Sequence, residues 1–336
     1  MIKSLGSTAG YGDCHTLHGM VNGLWAVAVP LAAAASVAMG CTRARADAAE
    51  LPSSSPTPSS SPAVSSSPVT SSFQSPDGGM AFLDMPIVSS GAFTMGADSG
   101  GEEDEHPAHS VMLAAFALDR TEVTNARYGE CVSARSCRPK SDQVRTQYPE
   151  FEGSEQPVNG VSWDDARAYC AWRGKRLPRE AEFEKAVRDG DDRLYPWGND
   201  PPTHRLTVFA SSRTETVGSR PDGRGPYGHE DLAGNVWEWM EDEYDPYAYR
   251  RPTAGEGRPG TCAAIMEALE ELRRNHRQGF TGTNPIPEEC EHAIRGGAYN
   301  YDAHGLRSTN RVHHPGRYRL PMLGFRCAAD VYQPSQ

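Results

Sequence analysis

The side chains best suited to chemistry are six cysteines in the body of this 336-residue chain: Cys131, Cys137, Cys170, Cys262, Cys290 and Cys327. Thiolates bind soft metals or act as nucleophiles, and oxidised pairs cross-link. Zinc is one reading, but no C-x-x-C pair exists, and the gap between Cys131 and Cys137 suits a small disulfide loop better than a finger. Fifteen pairings are open to six cysteines. The set expected is Cys131 with Cys137, Cys262 with Cys290, and Cys170 with Cys327. Asp302, His304, His313 and His314 crowd one stretch and could supply oxygen and nitrogen ligands to iron or copper. Solvated or hydrogen-bonded side chains are the plainer reading of those four. The run Glu102 to Glu105 with His106 and His109 invites the same idea, and there an exposed acidic loop is expected.

Elements able to position these groups are few. Residues 81–336 hold many short apolar runs broken by glycine and proline, the pattern of an irregular α+β domain rich in loops. Ser162 with Asp165 forms a capping box, Trp163, Ala166, Tyr169, Cys170 and Trp172 follow at mostly helical spacing, and Gly174 supplies a stop. A second helix is predicted from Pro178, with Phe183, Ala186 and Val187 on one face, ending at Gly190. A third is predicted over Ala263 to His276, where Ile265, Met266, Leu269 and Leu272 make an apolar stripe. With 38% hydrophobic residues a sizeable core is available, and the formal charge of -11 argues against nucleic acid as a partner.

The chain before the body reads differently. Val21 to Gly40 carries no charge and has the length of a secretory hydrophobic region, so residues 1–41 are expected to be an export signal. Ala38-Met39-Gly40-Cys41 looks like a bacterial lipoprotein processing site, with Cys41 as the lipidated residue. Residues 42–80 follow as a linker; between Leu51 and Gly79 it holds 12 serines and 6 prolines, too little apolar surface to offset chain ordering. A disordered tether is expected, with the membrane reached only through the N-terminal anchor and the body outside the cytoplasm.

Nine motifs then occur in order. GAFTMG (Gly91–Gly96), EHPAHSV (Glu105–Val111), TEVTNARY (Thr121–Tyr128), QPVNGVSWDDARAYCAW (Gln156–Trp172) and GKRLPREAEFE (Gly174–Glu184) come first. YPWGN (Tyr195–Asn199), DLAGNVWEW (Asp231–Trp239), RGGAY (Arg295–Tyr299) and GFRCA (Gly324–Ala328) complete the set. Together they resemble the formylglycine-generating enzyme family, the sulfatase-modifying factors, over about residues 85–332. The resemblance implies a C-type-lectin-like fold for the whole body. It also implies a copper-dependent oxidase that converts a cysteine of a client sulfatase to formylglycine, with copper held by two thiolates. Here the positions of those thiolates are Tyr301 and Leu306, the motif serine is Ala298, and no cysteine lies between Glu291 and Arg326. Copper is therefore not expected, nor is formylglycine generation by the family's mechanism.

The resemblance carries further expectations. It pairs Cys170 with Cys327 as a structural disulfide. It places calcium on Asp231, Glu238 and the carbonyls of Gly234 and Val236, while a second calcium segment is replaced by Leu206-Thr207-Val208-Phe209. Trp163, Trp172, Trp197, Trp237 and Trp239 could form a sugar-stacking platform, but each sits in a fold-building motif and core is the better reading. Residues 244–291 form an insertion that either covers the old pocket or decorates the periphery. The function expected is a binding or accessory module for a protein, peptide or glycan at the cell envelope. An oxidoreductase with metal ligands drawn from Asp302, His304, His313 and His314 is the alternative, and an assembly factor for another enzyme a third possibility.

Overall fold

The computed structural model describes residues 85–251, 254–257, 260–274 and 289–331, all within the unit Pro68–Gln336. The export signal with Cys41, the linker, His276 and the side chain of Leu272 lie outside the described residues. In chain order the elements are β1 (Ile87–Val88), β2 (Gly91–Met95), β3 (His109–Leu113), β4 (Phe116–Leu118), α1 (Asn125–Ser133), α2 (Asp142–Gln147), α3 (Trp163–Trp172) and α4 (Glu180–Arg188). Then come β5 (Trp237–Glu243), α5 (Cys262–Arg274), β6 (His292–Arg295), β7 (Val312–His314), β8 (Leu323–Gly324) and β9 (Ala328–Asp330). The strands form a sheet ordered β7-β6-β5-β8, a sheet ordered β1-β4-β9, and the β2-β3 hairpin. Among the described residues no helix is long and apolar enough to cross a membrane.

β5 organises the core because successive side chains of a strand leave on opposite faces. Trp237 and Trp239 enter one apolar cluster with Tyr128, Tyr169, Cys170, Phe325 and Cys327. Met240 enters the other, with Phe183, Ala186, Leu232 and Tyr244. Both faces are buried, so Glu238, which alternates with the two tryptophans as an exposed residue would, is buried as well and must find a charged partner inside. Two indoles are also anchored through their N–H groups: Trp163 Nε1 donates to the Met240 carbonyl at 2.8 Å and Trp239 Nε1 to that of Val161 at 3.2 Å. The tryptophans divide, since Trp237 and Trp239 are buried while Trp163, Trp172 and Trp197 are only partly so.

α3 forms as its capping box predicts. Ser162 N donates to Asp165 at 3.0 Å, Asp165 N donates to Ser162 Oγ at 3.2 Å, and Gly174 turns the chain at φ +69°. Arg138, at 2.7 Å, and Arg319 also bond Asp165. Burial opposes its ionisation, but the Ser162 hydrogen bonds and both arginines prevail and hold the carboxyl below its ordinary range. A depressed folded pKa adds stability above the unfolded value of about 3.9 that is lost as pH falls through the folded value. Asp165→Asn is therefore expected to lower unfolding free energy by about 1.5–3 kcal/mol at pH 7. Denaturant melts should show that loss shrinking in acid.

α4 begins at Glu180 rather than Pro178, because Arg179 stays extended while its N–H bonds Glu182 at 2.8 Å. All nine of its residues are buried. Its charges survive burial by pairing: Glu180 with Arg311 and Arg295, Glu184 with Arg188 and Arg295, and Glu182 with Arg176. α5 is described over Cys262–Arg274, starting one residue before the predicted Ala263, with Ile265 and Leu269 buried, and the predicted end at His276 lies outside the described residues. The cysteine pairs present are Cys131–Cys137, Cys170–Cys327 and Cys262–Cys290.

Candidate functional site

The segment after β6 builds the site. Gly297 takes φ +77°, and a Cβ there would sit 2.6 Å from Leu306 Cδ2 and 2.8 Å from the Gly305 carbonyl, so the RGG turn requires glycine. Backbone bonds then fix the segment on two sides. Gly234 N donates to the Gly296 carbonyl at 2.8 Å and Tyr299 N to that of Asn235 at 2.9 Å. Ala210 N donates to the Tyr301 carbonyl at 2.9 Å and Ser211 N to that of Tyr299 at 2.7 Å.

These ties place Tyr301 and Leu306 in unlike surroundings. Leu306 is buried in a cluster with Tyr195 and Ala233, against which Trp197 and Phe209 pack. Tyr301 stays 39% exposed, its ring meeting Trp237 edge-on at 5.2 Å. Ala298 is buried. Tyr195 stacks on Trp197 at 5.1 Å, and Leu194 beside them is exposed, so the surface carries aromatic and apolar groups. Residues just beyond Ser211 line a polar cleft of about 540 Å³, walled by Ser154, Glu155, Gln156, Arg213, Thr214 and Glu215. Gln156 Nε2 donates to the Thr214 carbonyl at 2.9 Å across that cleft's wall.

The four polar residues considered as metal ligands do not converge. His304 faces Glu102 at 3.1 Å and Arg307 at 3.2 Å. The Asp302 carboxylate accepts from His304 N at 3.0 Å, closing a local turn. His313 sits on β7, bonded through Nδ1 to Glu291 at 2.5 Å and stacked on Tyr244 at 4.1 Å. Burial lowers the pKa of His314, helped by its neighbour His313. Among the described residues these four make no ligand group.

The acidic run departs from expectation. Asp104 and Glu105 are buried, not exposed. Glu105 accepts two bonds from Arg307, at 2.6 and 2.7 Å, and one from Thr309 at 2.6 Å. Asp104 bonds Tyr244 at 2.5 Å, and burial raises its carboxyl although Arg311 opposes the shift. Partners about 200 residues away in sequence thus turn an apparent solvent loop into a core element. The first part of the insertion packs here too: Tyr249 lies 4.6 Å from the His109 ring and beneath Arg311.

Asp231 and Glu238 occupy a third environment. Asp231, at φ +55°, accepts from Gly218 N at 2.5 Å. Glu238 accepts twice from Arg326, at 2.7 and 2.8 Å, with both side chains fully buried. Arg326 spends its other bonds on the carbonyls of Asp119, Arg120, Glu230 and Asp231. Glu122, also buried, receives no hydrogen bond at either oxygen. Burial, then Asp231 and Glu238, push its carboxyl well above the ordinary range, and burial raises that of Asp231 as well. Three acids therefore surround one guanidinium. Beside them the Leu206–Phe209 segment is a brace: Val208 accepts from Asn235 N at 2.9 Å, and Thr207 donates to the Ala233 carbonyl.

Residues 75–331 match the family model described as the sulfatase-modifying factor enzyme 1-like domain. The chain belongs to that family. Its relatives include the inactive C-alpha-formylglycine-generating enzyme 2 of Mus musculus, 33% identical over 304 residues, covering 75% of this chain and 87% of that protein. Hercynine oxygenase of Mycolicibacterium smegmatis is 30% identical over 281 residues, covering 73% of this chain and 61% of that one. The serine/threonine-protein kinase pkn1 of Chlamydia caviae is 37% identical over 221 residues, which cover 58% of this chain and only 35% of the kinase. Among solved structures, PvdO of Pseudomonas aeruginosa aligns with a TM-score of 0.56 at 23% identity, over 77% of this chain and 97% of PvdO. Treponema denticola variable protein 1 gives 0.51 at 20% identity, over 73% and 94%. This sulfatase-modifying-factor domain is thus a C-type-lectin-like fold with mixed helix and sheet.

Sequence reading singled out Tyr301 and Leu306 but missed Arg307, whose pairing with Glu105 fixes the loop between them and Thr309. A lone arginine beside four polar residues gives no local signal of a partner so far away.

Proposed function

We propose that this chain is an extracytoplasmic family member without copper chemistry, acting as a binding or accessory module. The observation that carries this reading is that all six cysteines of the described body are disulfide-bonded, so none offers a thiolate. Soft Cu(I) needs such ligands. Tyr301 and Leu306 stand where the family resemblance places them, one an exposed ring and the other a core aliphatic. Three disulfides support an oxidising compartment. A relative whose name calls it an inactive C-alpha-formylglycine-generating enzyme supports the loss of that activity in this reading. The ligand surface in this reading is the aromatic patch around Tyr301, Trp197 and Phe209. A redox reading with altered ligation has less support, because its four ligands lie apart. The test is Cu(I) titration of the disulfide-intact chain against a chromogenic chelator. No stoichiometric uptake is expected, and tight uptake of one Cu(I) per chain would overturn the reading.

Calcium belongs to the same proposal as a structural ion. Asp231, Glu238 and the carbonyls of Gly234 and Val236 offer hard oxygens, the donors calcium takes. The fit is electrostatic: Asp231, Glu238 and Glu122 are buried beside one guanidinium, burial raises all three carboxyls, and a divalent cation would favour their ionised forms. Calcium at a hundred times its Kd is expected to add about 2.7 kcal/mol of stability. Thermal melts with calcium or chelator should show that shift, and Asp231→Asn should remove most of it. Identical melts in both buffers would refute the site.

A further inference from the structure

We propose that Glu243, Cys262 and Cys290 form a latent metal site that opens on reduction of the Cys262–Cys290 disulfide and takes one zinc-class divalent cation. One carboxylate oxygen and the two sulfurs lie within 4.8 Å of one another, and all three residues are half-buried. The groups come from three elements: Glu243 closes β5, Cys262 opens α5, and Cys290 precedes β6. Their placement does not depend on the disulfide alone. Glu243 pairs with His292 across β5 and β6, and Tyr244 N donates to the Glu291 carbonyl at 2.7 Å, so the sheet sets Glu243 and Cys290 in register. Ile265 and Leu269, both buried, seat α5.

Access separates this pair from the others. Cys131, Cys170 and Cys327 are fully buried and Cys137 is 9% exposed, so a reductant meets Cys262–Cys290 first. A thiol-class reductant supplies two electrons: the Cys262–Cys290 S–S bond breaks, the reductant's sulfurs join, and its two protons pass to the cysteines. Metal binding then releases both protons to water. Two thiolates and a carboxylate suit zinc, whose bonds of about 2.3 Å to sulfur set the two sulfurs about 3.8 Å apart in a tetrahedron, with the fourth position open to water. The Cys262 and Cys290 Cα atoms, 5.8 Å apart, permit that spacing with a small movement. The site lies apart from the Tyr301 surface and does not rest on the reading above.

The test uses the full chain, reduced with a phosphine that does not compete for metal, and Co2+ as a spectroscopic stand-in for zinc. Mass spectrometry after alkylation reports which cysteines are free, and circular dichroism reports the fold. Expected are thiolate-to-cobalt absorption at one Co2+ per reduced chain, none in the oxidised chain, and loss of the signal in Cys262→Ser and in Cys290→Ser. Glu243→Gln should weaken binding about tenfold or more while leaving both thiols. Absent absorption in the reduced chain, absorption that survives both serine variants, or collapse of the fold on reducing this one pair would each overturn the proposal.

Discussion

Arg326→Met is expected to destabilise the domain by about 3–5 kcal/mol, because removing one partner of a buried ion pair strands the other charge. Glu238 would lose both of its charge-assisted bonds, and four backbone carbonyls would lose their donor. Asp231 and Glu122 would then lose the guanidinium that moderates them. Lost packing is separable from stranded charge by the double variant Arg326→Met with Glu238→Gln, which should recover part of the stability. Denaturant melts of the two variants decide the matter. A single variant within about 0.5 kcal/mol of wild type would show the network to be neutral.

Loss of the Cys170–Cys327 disulfide is expected to cost about 5 kcal/mol on the chain-entropy model, against about 2 kcal/mol for the Cys131–Cys137 loop. The contrast follows from sequence separations of 157 and 6. The longer bridge joins α3 to the segment before β9, and both sulfurs sit in the cluster with Trp237 and Phe325. Cysteine-to-alanine pairs at the two sites, compared by midpoint in urea, test the ordering. Equal losses would mean that native packing, and not chain closure, sets the stability.

Local rules made much of the fold legible. The Ser162–Asp165 box and the Gly174 stop mark α3, and the apolar face of Phe183, Ala186 and Val187 marks α4. α1 and α2 escaped notice although Thr124 and Ser141 cap them, because their short apolar faces give weak periodicity. The arginine networks were not legible at all. Arg295, Arg307, Arg311 and Arg326 each meet acids 88 or more residues away, a pairing that only the folded chain creates. For that reason the Glu102–Glu105 run read as a solvent loop, while the structure buries half of it. At the site, identity at 298, 301 and 306 was plain from the sequence, but the burial of Leu306 and the exposure of Tyr301 emerged only with the cluster around Tyr195.

The most direct measurement incubates the disulfide-intact chain with a cysteine peptide from a sulfatase, copper and oxygen. Hydrazide trapping and mass spectrometry then report any aldehyde. The peptide cysteine should remain unchanged; its conversion to formylglycine would contradict the account.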